Sequence, residues 1–292
     1  MYKIVKREVL VPNIIYIKVE APEIARKAKP GQFIILRVDE VGERFPMSLA
    51  GWDKDEGTLE ITFVIMGKST MKLASLGEGD SIMDVVGPLG NPSEIENYGT
   101  VLCACGHFGI GPMVTVINAL KEKGNRIISV MEAVDESLLF WEDKLRKASD
   151  ETHVVVGNGK AGQAGEFIKE YLKAGNKVDK VFAFGRLFMM MECSNATRPF
   201  GVKTTVCLTP IMVDGTGMCG CCRVAIGEET KFACVDGPEF DGHTVDWELL
   251  IKRKQTYIKE EAKAFDLWKP DNLRKISDLS NLPKRASVVE NG

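Results

Sequence analysis

Histidine is scarce in this sequence, with only three residues in 292. Because imidazole is the side chain that most often moves protons in catalysis, this scarcity argues against a histidine-based hydrolase. Basic residues are not in excess either, since the formal net charge is −3. A chain of this charge lacks the electrostatic footprint of a protein that binds nucleic acid or anionic lipid.

Long apolar runs and a signal peptide are also missing. No run approaches the roughly 18 residues of a membrane span, and residues 1–8 are mixed polar and alternate as in a strand. We therefore expect a cytoplasmic protein without a membrane span, in a reducing compartment. The 45% hydrophobic and 27% charged residues are those of an ordinary globular protein with room for two or three domains.

The first region, residues 1–98, has the pattern of an all-β domain. Runs at 33–38 and 59–65 are short, β-branched and bounded by Gly, Asp or Pro, which predicts strands. Their regular spacing predicts a small antiparallel β-barrel.

The second region, residues 99–205, alternates apolar runs with helical patterns. The predicted strands are 101–105, 126–131, 153–156 and 181–184, and the predicted helices are 112–123, 137–147 and 165–173. This alternation predicts a Rossmann-like domain with a doubly wound parallel sheet.

Two smaller regions complete the chain: a cysteine-rich subdomain at 206–250 and a charged tail at 251–292. The tail is predicted to form a surface helix and then an irregular arm at 277–292, which is a candidate to dock on a partner.

The cysteine-rich region carries the most informative motif, Asp214-x4-Cys219-x2-Cys222-x11-Cys234. Gaps of four and then two residues, followed by a longer gap, are the plant-type spacing for a [2Fe–2S] cluster. Aspartate stands at the first position, where that pattern has cysteine. The interpretation is a [2Fe–2S] cluster held by Asp214, Cys219, Cys222 and Cys234, and hence transfer of single electrons.

Other interpretations of this motif stay open. Cys219-x2-Cys222 also suits zinc, with His243 as a further ligand, and a structural disulfide is the weakest alternative in a reducing compartment. Cys221 is a surplus thiol expected to point away from the metal. Alternatively, Asp214 only caps the turn and Cys221 is the fourth ligand.

The first region contains a second group of motifs. Arg44 could neutralise a pyrophosphate through bidentate bonds, and the turn from Gly67 to Thr70 offers backbone N–H groups and hydroxyls to the same phosphates. Ser48 could donate a hydrogen bond to a flavin ring nitrogen. Each feature is also common in ordinary loops and turns.

Together these motifs resemble a known family. Arg44-x-Pro-x-Ser48, Gly67-Lys-x-Thr70 and the glycines from Gly79 to Gly90 are similar to the FAD barrel of the ferredoxin reductase superfamily. With the cysteine motif, the chain resembles the electron-transfer subunit of dihydroorotate dehydrogenase. Through Pro210–Gly220 it resembles still more closely the small subunit of NADH-dependent reduced ferredoxin:NADP oxidoreductase, also called sulfide dehydrogenase. The resemblance covers about residues 3–265.

The resemblance implies an FAD barrel, a nucleotide domain and a [2Fe–2S] subdomain. It also implies a heteromeric, electron-bifurcating complex with a large subunit that carries a second FAD and [4Fe–4S] clusters. No catalytic residue beyond the flavin is implied. The implied FAD-binding residues are Arg44, Pro46, Met47, Ser48, Phe63, Val64, Ile65, Met66, Gly67, Ser69 and Thr70.

The sequence departs from the family where it binds NAD(H) or NADP(H). The implied nucleotide-binding residues are Gly106, His107, Gly109, Gly111, Pro112 and Gly185. Of these, His107 stands where the family has glycine. Glu132-Ala-Val134 stands where the family has Gly-Ala-Arg, so a nucleotide-binding arginine is missing. We expect weak or altered nucleotide binding, unless Lys160 and Arg186 supply phosphate contacts by another route. The alternative is a non-catalytic electron conduit that binds FAD and a cluster but no nucleotide.

Overall fold

The computed structural model describes residues 1–160 and 162–272. The strands are β1 (Tyr2–Val11), β2 (Ile14–Glu20), β3 (Phe33–Arg37), β4 (Phe45–Ser48), β5 (Gly51–Asp53), β6 (Thr58–Val64), β7 (Ser81–Ile82), β8 (Asp84–Leu89), β9 (Thr100–Gly106), β10 (Arg126–Ala133), β11 (Glu151–Val156), β12 (Lys180–Phe184), β13 (Thr204–Cys207), β14 (Arg223–Ile226), β15 (Glu229–Phe232) and β16 (Glu239–Asp241). The α-helices are α1 (Pro22–Ala25), α2 (Lys68–Ala74), α3 (Ile110–Glu122), α4 (Glu142–Ala148), α5 (Gln163–Lys173), α6 (Leu187–Thr197), α7 (Trp247–Lys254) and α8 (Ile258–Asn272).

The N-terminal domain has the expected β architecture, built as two antiparallel sheets around one apolar core. One sheet has the order β5-β6-β2-β1-β7 and the other β4-β3-β8. Within the described residues the two sheets do not join into a closed cylinder. Register shifts in β1 and in β3 interrupt the regular pairing of these strands, and such irregularities bend a strand and increase its local twist.

The second domain is the expected doubly wound parallel sheet. Its strand order is β11-β10-β9-β12-β13, with β16 added antiparallel at the edge. The strand order reverses between β9 and β12, so the carboxyl ends of β9, β10 and β12 lie side by side. In sheets of this kind ligands bind at that edge, near the switch point.

The predicted helix at 137–147 is wrong in its first half. A short 3₁₀ turn covers Glu136–Leu138, and α4 begins only at Glu142. Trp141, which precedes α4, has a left-handed backbone with φ of 56°. Its ring packs edge-on against Tyr16 of the first domain, with 5.8 Å between centroids. The left-handed residue interrupts the helical backbone, so α4 begins after it.

The C-terminal regions pack on both preceding domains. The hairpin β14–β15 and α7 share their core with the parallel sheet, while α8 returns to the first domain, where Phe265 and Trp268 pack against the core of the two β-sheets. The predicted arm at 277–292 lies outside the described residues. None of the helices in the described part of the chain has the length and apolar character needed to span a bilayer.

Candidate functional site

The two motifs predicted to hold FAD phosphates lie together at the rim of the first domain. Arg44 directly precedes β4, and Gly67 is the N-cap of α2. Glu43 joins them, because it accepts a hydrogen bond from Ser69 and forms an ion pair with Lys68 at 3.5 Å. The loop of Arg44 and the turn at the start of α2 therefore form one surface.

The Arg44 guanidinium is available at this surface. Its side chain is 40% exposed and lies 3.9 Å from the Asp84 carboxylate, which is bound more closely by Arg37 at 2.6 Å. In contrast, the Thr70 hydroxyl is committed to its own turn. It accepts hydrogen bonds from the N–H groups of Met66 at 2.9 Å and Gly67 at 3.1 Å. Thr70 therefore shapes the turn, and Arg44 is the group that can meet a phosphate.

The remaining predicted FAD residues divide into core and surface. Met47, Phe63, Val64 and Ile65 are buried in the apolar core, whereas Ser48 is half-buried at the end of β4 and Met66 is 49% exposed. Of this set, Ser48 and Met66 are therefore the ones at the surface.

In the cysteine motif, the hairpin β14–β15 brings two sulfurs together. Cys222 immediately precedes β14 and Cys234 follows β15, and their Sγ atoms are 3.2 Å apart in the buried interior. All eight cysteines are free thiols. Burial raises the pKa of Cys234 to about 12, the neighbouring Cys222 adds to this, and a hydrogen bond from the Gly217 backbone opposes it. A backbone N–H directed at a buried sulfur suits a thiolate ligand.

The loop before Cys222 carries the other two proposed ligands. The Asp214 carboxylate accepts hydrogen bonds from the N–H groups of Thr216 and Cys219, both at 3.0 Å, and these bonds lower its pKa. Gly215 and Gly217 have left-handed backbones, with φ of 77° and 84°, which a glycine adopts without strain. Asp214 thus caps the turn, as one of the alternatives requires, and the turn holds it beside Cys219.

The described residues show a partly assembled ligand set. No three His, Cys, Asp or Glu side chains in residues 1–160 and 162–272 converge closely enough to hold a metal ion. Cys219 is exposed and Cys221 half-buried. His243, the further zinc ligand considered above, is bound by Thr197 through Nε2 at 2.9 Å. The donor set fits an iron–sulfur cluster through its buried pair Cys222 and Cys234 and its capped turn.

The cysteine loop packs directly on the first domain. A Cβ atom added to Gly215 would lie 2.7 Å from Leu89 in β8 and 2.8 Å from Ile35 in β3. The side chain of Asn91, just after β8, also donates to the Val235 carbonyl at 3.2 Å. The three-stranded sheet that carries Ser48 therefore also supports the cysteine loop.

The glycine turn after β9 has a packing role. A Cβ atom on Gly109 would lie 2.1 Å from the Phe184 carbonyl oxygen, and one on Gly111 would lie 2.3 Å from Oγ1 of Thr62. Both glycines are required by close contacts within the protein. Their presence alone does not indicate a phosphate site.

Three polar side chains fill the edge of the sheet beside this turn. Arg186 donates to Nε2 of His107 at 3.3 Å, and the His107 Nδ1 is buried without a hydrogen-bond partner. Burial lowers the pKa of His107 to about 3, and the charge of Arg186 acts in the same direction. Glu132 accepts hydrogen bonds from the N–H groups of Gly162 at 2.9 Å and Ala164 at 2.8 Å. Together they line a cleft that also includes Gly106, Val134 and Met189.

Other predicted nucleotide residues lie around this cleft. Pro112 is buried in the first turn of α3, and Gly185 approaches the Gly106 carbonyl at the end of β9. Lys160, a candidate phosphate contact, is exposed in the turn after β11.

Sequence reasoning missed one residue beside the cysteine loop. Arg253 in α7 donates from Nη2 to the Cys221 carbonyl at 3.2 Å. The 32 residues between them give no local pattern that could have indicated this contact.

Comparison with known proteins identifies relatives of the whole chain. Residues 209–246 match the family described as the iron–sulfur cluster binding domain of dihydroorotate dehydrogenase B. The chain is 42% identical over 266 residues to a dihydroorotate dehydrogenase B (NAD(+)) electron transfer subunit homolog of Thermotoga maritima, covering 90% of this chain and 94% of the relative. It is 28% identical over 257 residues to the dihydroorotate dehydrogenase B (NAD(+)) electron transfer subunit of Desulforamulus reducens, covering 84% of this chain and 97% of that subunit.

Two solved structures are similar. A chain from the structure of the NADH-dependent reduced ferredoxin-NADP oxidoreductase, solved for insights into flavin-based electron bifurcation, has a TM-score of 0.86 and 39% identity over 92% of this chain and 98% of that chain. Phthalate dioxygenase reductase has a TM-score of 0.56 with 18% identity, over 77% of this chain and 85% of that chain, and shows the fold alone.

Proposed function

Because the chain belongs to the family of dihydroorotate dehydrogenase B electron transfer subunits and their homologues, we propose that it carries electrons between an FAD in its first domain and a [2Fe–2S] cluster in its cysteine loop. The observation that carries this proposal is the shared three-stranded sheet. Strand β4 ends in Ser48 at the proposed flavin site, and β3 and β8 of that sheet contact Gly215 in the cysteine loop.

The residues of this chain have distinct parts in the proposed transfer. Arg44 binds FAD phosphate, and Ser48 at the end of β4 orients the flavin ring. Cys219, Cys222 and Cys234, with Asp214, hold the cluster. Bound FAD supplies the chemistry that exchanges electron pairs for single electrons, and the protein sets its position and potential.

The partner is proposed from the same family. An electron transfer subunit is one part of a heteromeric oxidoreductase, and we propose a large partner subunit that carries a second FAD and [4Fe–4S] clusters, in a cytoplasmic complex. The finer proposal is an electron-bifurcating enzyme of the pyridine nucleotide:ferredoxin type.

A second candidate function is favoured by the cleft. At the place where a nucleotide would bind, the polar side chains form hydrogen bonds to other groups of the protein: Arg186 to His107, and Glu132 to the backbone at the start of α5. In this candidate the chain is a conduit whose FAD exchanges electrons only with the partner subunit, and the pyridine nucleotide does not bind to this chain.

Anaerobic purification tests the shared part of both candidates. We expect one FAD and one [2Fe–2S] cluster per chain, seen as flavin absorbance and as an electron paramagnetic resonance signal after dithionite reduction. A purified chain with zinc and without iron would contradict the proposal.

A further inference from the structure

The short helix α2 follows directly on the turn that is proposed to meet the FAD phosphates. It has seven residues, and a helix of this length is not stable by itself in water, so its position depends on packing against the rest of the chain. On its inner face, Met71, Leu73 and Ala74 are buried in the core of the first domain. The other elements that lie against α2 therefore affect how firmly the turn at its start is held.

Two ion pairs join α2 to the loop that carries Arg44. Lys72 pairs with Asp39, and Lys68 pairs with Glu43 at 3.5 Å. Glu43 directly precedes Arg44 in the sequence. Because both ends of this loop are paired with α2, a shift of the helix would also disturb the Arg44 guanidinium.

The C-terminal helix α8 lies against α2. Phe265 and Trp268 are three residues apart and therefore lie on one face of α8, and both pack against the core of the first domain. Leu267, between them in the sequence, is 71% exposed. Helix α8 thus turns one face to the domain and the other to solvent, and its inner face supports α2 from the far end of the chain.

We propose that α8 holds the FAD phosphate turn in place through α2, and that Trp268 is the main positioning residue. An indole ring is the largest apolar surface that a side chain can pack against a neighbouring element, so its loss leaves α2 with less support on that side. Ser48 lies in β4, in the sheet of the domain, and does not depend on α2 in this way. This role rests on the proposed function, because it requires FAD phosphates at Arg44 and at the start of α2.

Titration of the deflavinated full-length protein with FAD, followed by flavin fluorescence, tests this role. We expect Trp268→Ala to raise the dissociation constant of FAD about tenfold, within the range found for residues that act on a site through their neighbours. At saturating FAD, its flavin absorbance and circular dichroism spectra should match those of the wild type, because the ring site at Ser48 is unchanged. Trp268→Phe keeps an aromatic ring on the same face and should restore most of the affinity.

The matched control is Leu267→Ala on the exposed face of α8. It should change the dissociation constant of FAD less than about twofold, because exposed substitutions are close to neutral. Equal affinity losses in Trp268→Ala and Leu267→Ala would overturn the proposal. So would wild-type affinity in Trp268→Ala, or flavin spectra in that variant that differ from the wild type at saturation.

A second variant decides if Trp268→Ala does not fold. Phe265→Leu keeps an apolar side chain on the inner face, and we expect it to weaken FAD binding about threefold with unchanged flavin spectra. Wild-type affinity in Phe265→Leu would then overturn the proposal. A wild-type protein that binds no FAD would contradict the proposed function together with this role, whereas failure of the role alone leaves FAD bound equally well in every variant.

Discussion

The cysteine loop and the nucleotide cleft both contain glycine-rich turns, but their polar groups are directed differently. In the loop, Gly217 directs a backbone hydrogen bond to Cys234, and Cys222 and Cys234 face each other. In the cleft, Glu132 and Arg186 are bound to other groups of the chain. A glycine pattern therefore indicates close backbone packing in both regions. A candidate ligand site is distinguished by polar groups that face a shared space and are not already bonded to other groups of the chain.

The largest effect is expected from the buried sulfur pair. Cys222→Ser removes one of two thiols that lie 3.2 Å apart, so the cluster should be lost while FAD is retained. Iron content and the resonance spectrum measure this. The matched control is Cys221→Ser, one residue away, which should keep its iron. Equal iron loss in both variants would show that Cys222 is not distinguished from Cys221 as a cluster ligand.

The second prediction concerns Arg44, which is proposed to bind FAD phosphate in the first domain. Arg44→Ala should weaken FAD binding by about 1.5–3 kcal/mol, the value of a charge-assisted hydrogen bond. Equilibrium dialysis of FAD measures the change, with Arg26→Ala as a control, because Arg26 pairs only with its helix neighbour Glu23 among the contacts described. Unchanged FAD content in Arg44→Ala would show that Arg44 does not bind FAD.

Substitution of Asp214 distinguishes the two candidates for the fourth cluster ligand, Asp214 and Cys221. Asp214→Cys should keep a [2Fe–2S] cluster but shift its reduction potential and resonance spectrum, because thiolate is a softer ligand than carboxylate. Cys221→Ser should shift neither. The reverse result would make Cys221 the ligand and limit Asp214 to capping the turn through Thr216 and Cys219.

The smallest expected effect concerns Arg253, which binds the Cys221 carbonyl from α7. Arg253→Gln removes a positive charge beside the loop, so the midpoint potential of the cluster should fall modestly while iron content is kept. Lys252→Gln is the control, since Lys252 is paired with Glu248 on the exposed side of the same helix. A potential that stays the same in Arg253→Gln would show that this contact is structural only.

Contacts in the cysteine loop are easier to predict from sequence than contacts in the cleft, for a physical reason. The proposed cluster ligands lie close together along the chain, between Asp214 and Cys234, so their spacing is visible in the local sequence. The bonds from Glu132 to Gly162 and Ala164 cross about 30 residues, and no spacing reveals them. The start of α4 is a similar case, because it follows Trp141, whose left-handed backbone and contact with Tyr16 of another domain are not visible in the local sequence pattern.

The central claim is that this chain holds a flavin and a [2Fe–2S] cluster that exchange electrons. Anaerobic titration of the isolated holoprotein tests it most directly, with absorbance followed at the flavin maximum and resonance spectra recorded at the end. We predict that dithionite reduces the flavin and produces a [2Fe–2S] signal; bleaching of the flavin by NADH or NADPH before that step would favour the first candidate function over the conduit. Reduction of the flavin without any [2Fe–2S] signal would contradict the account.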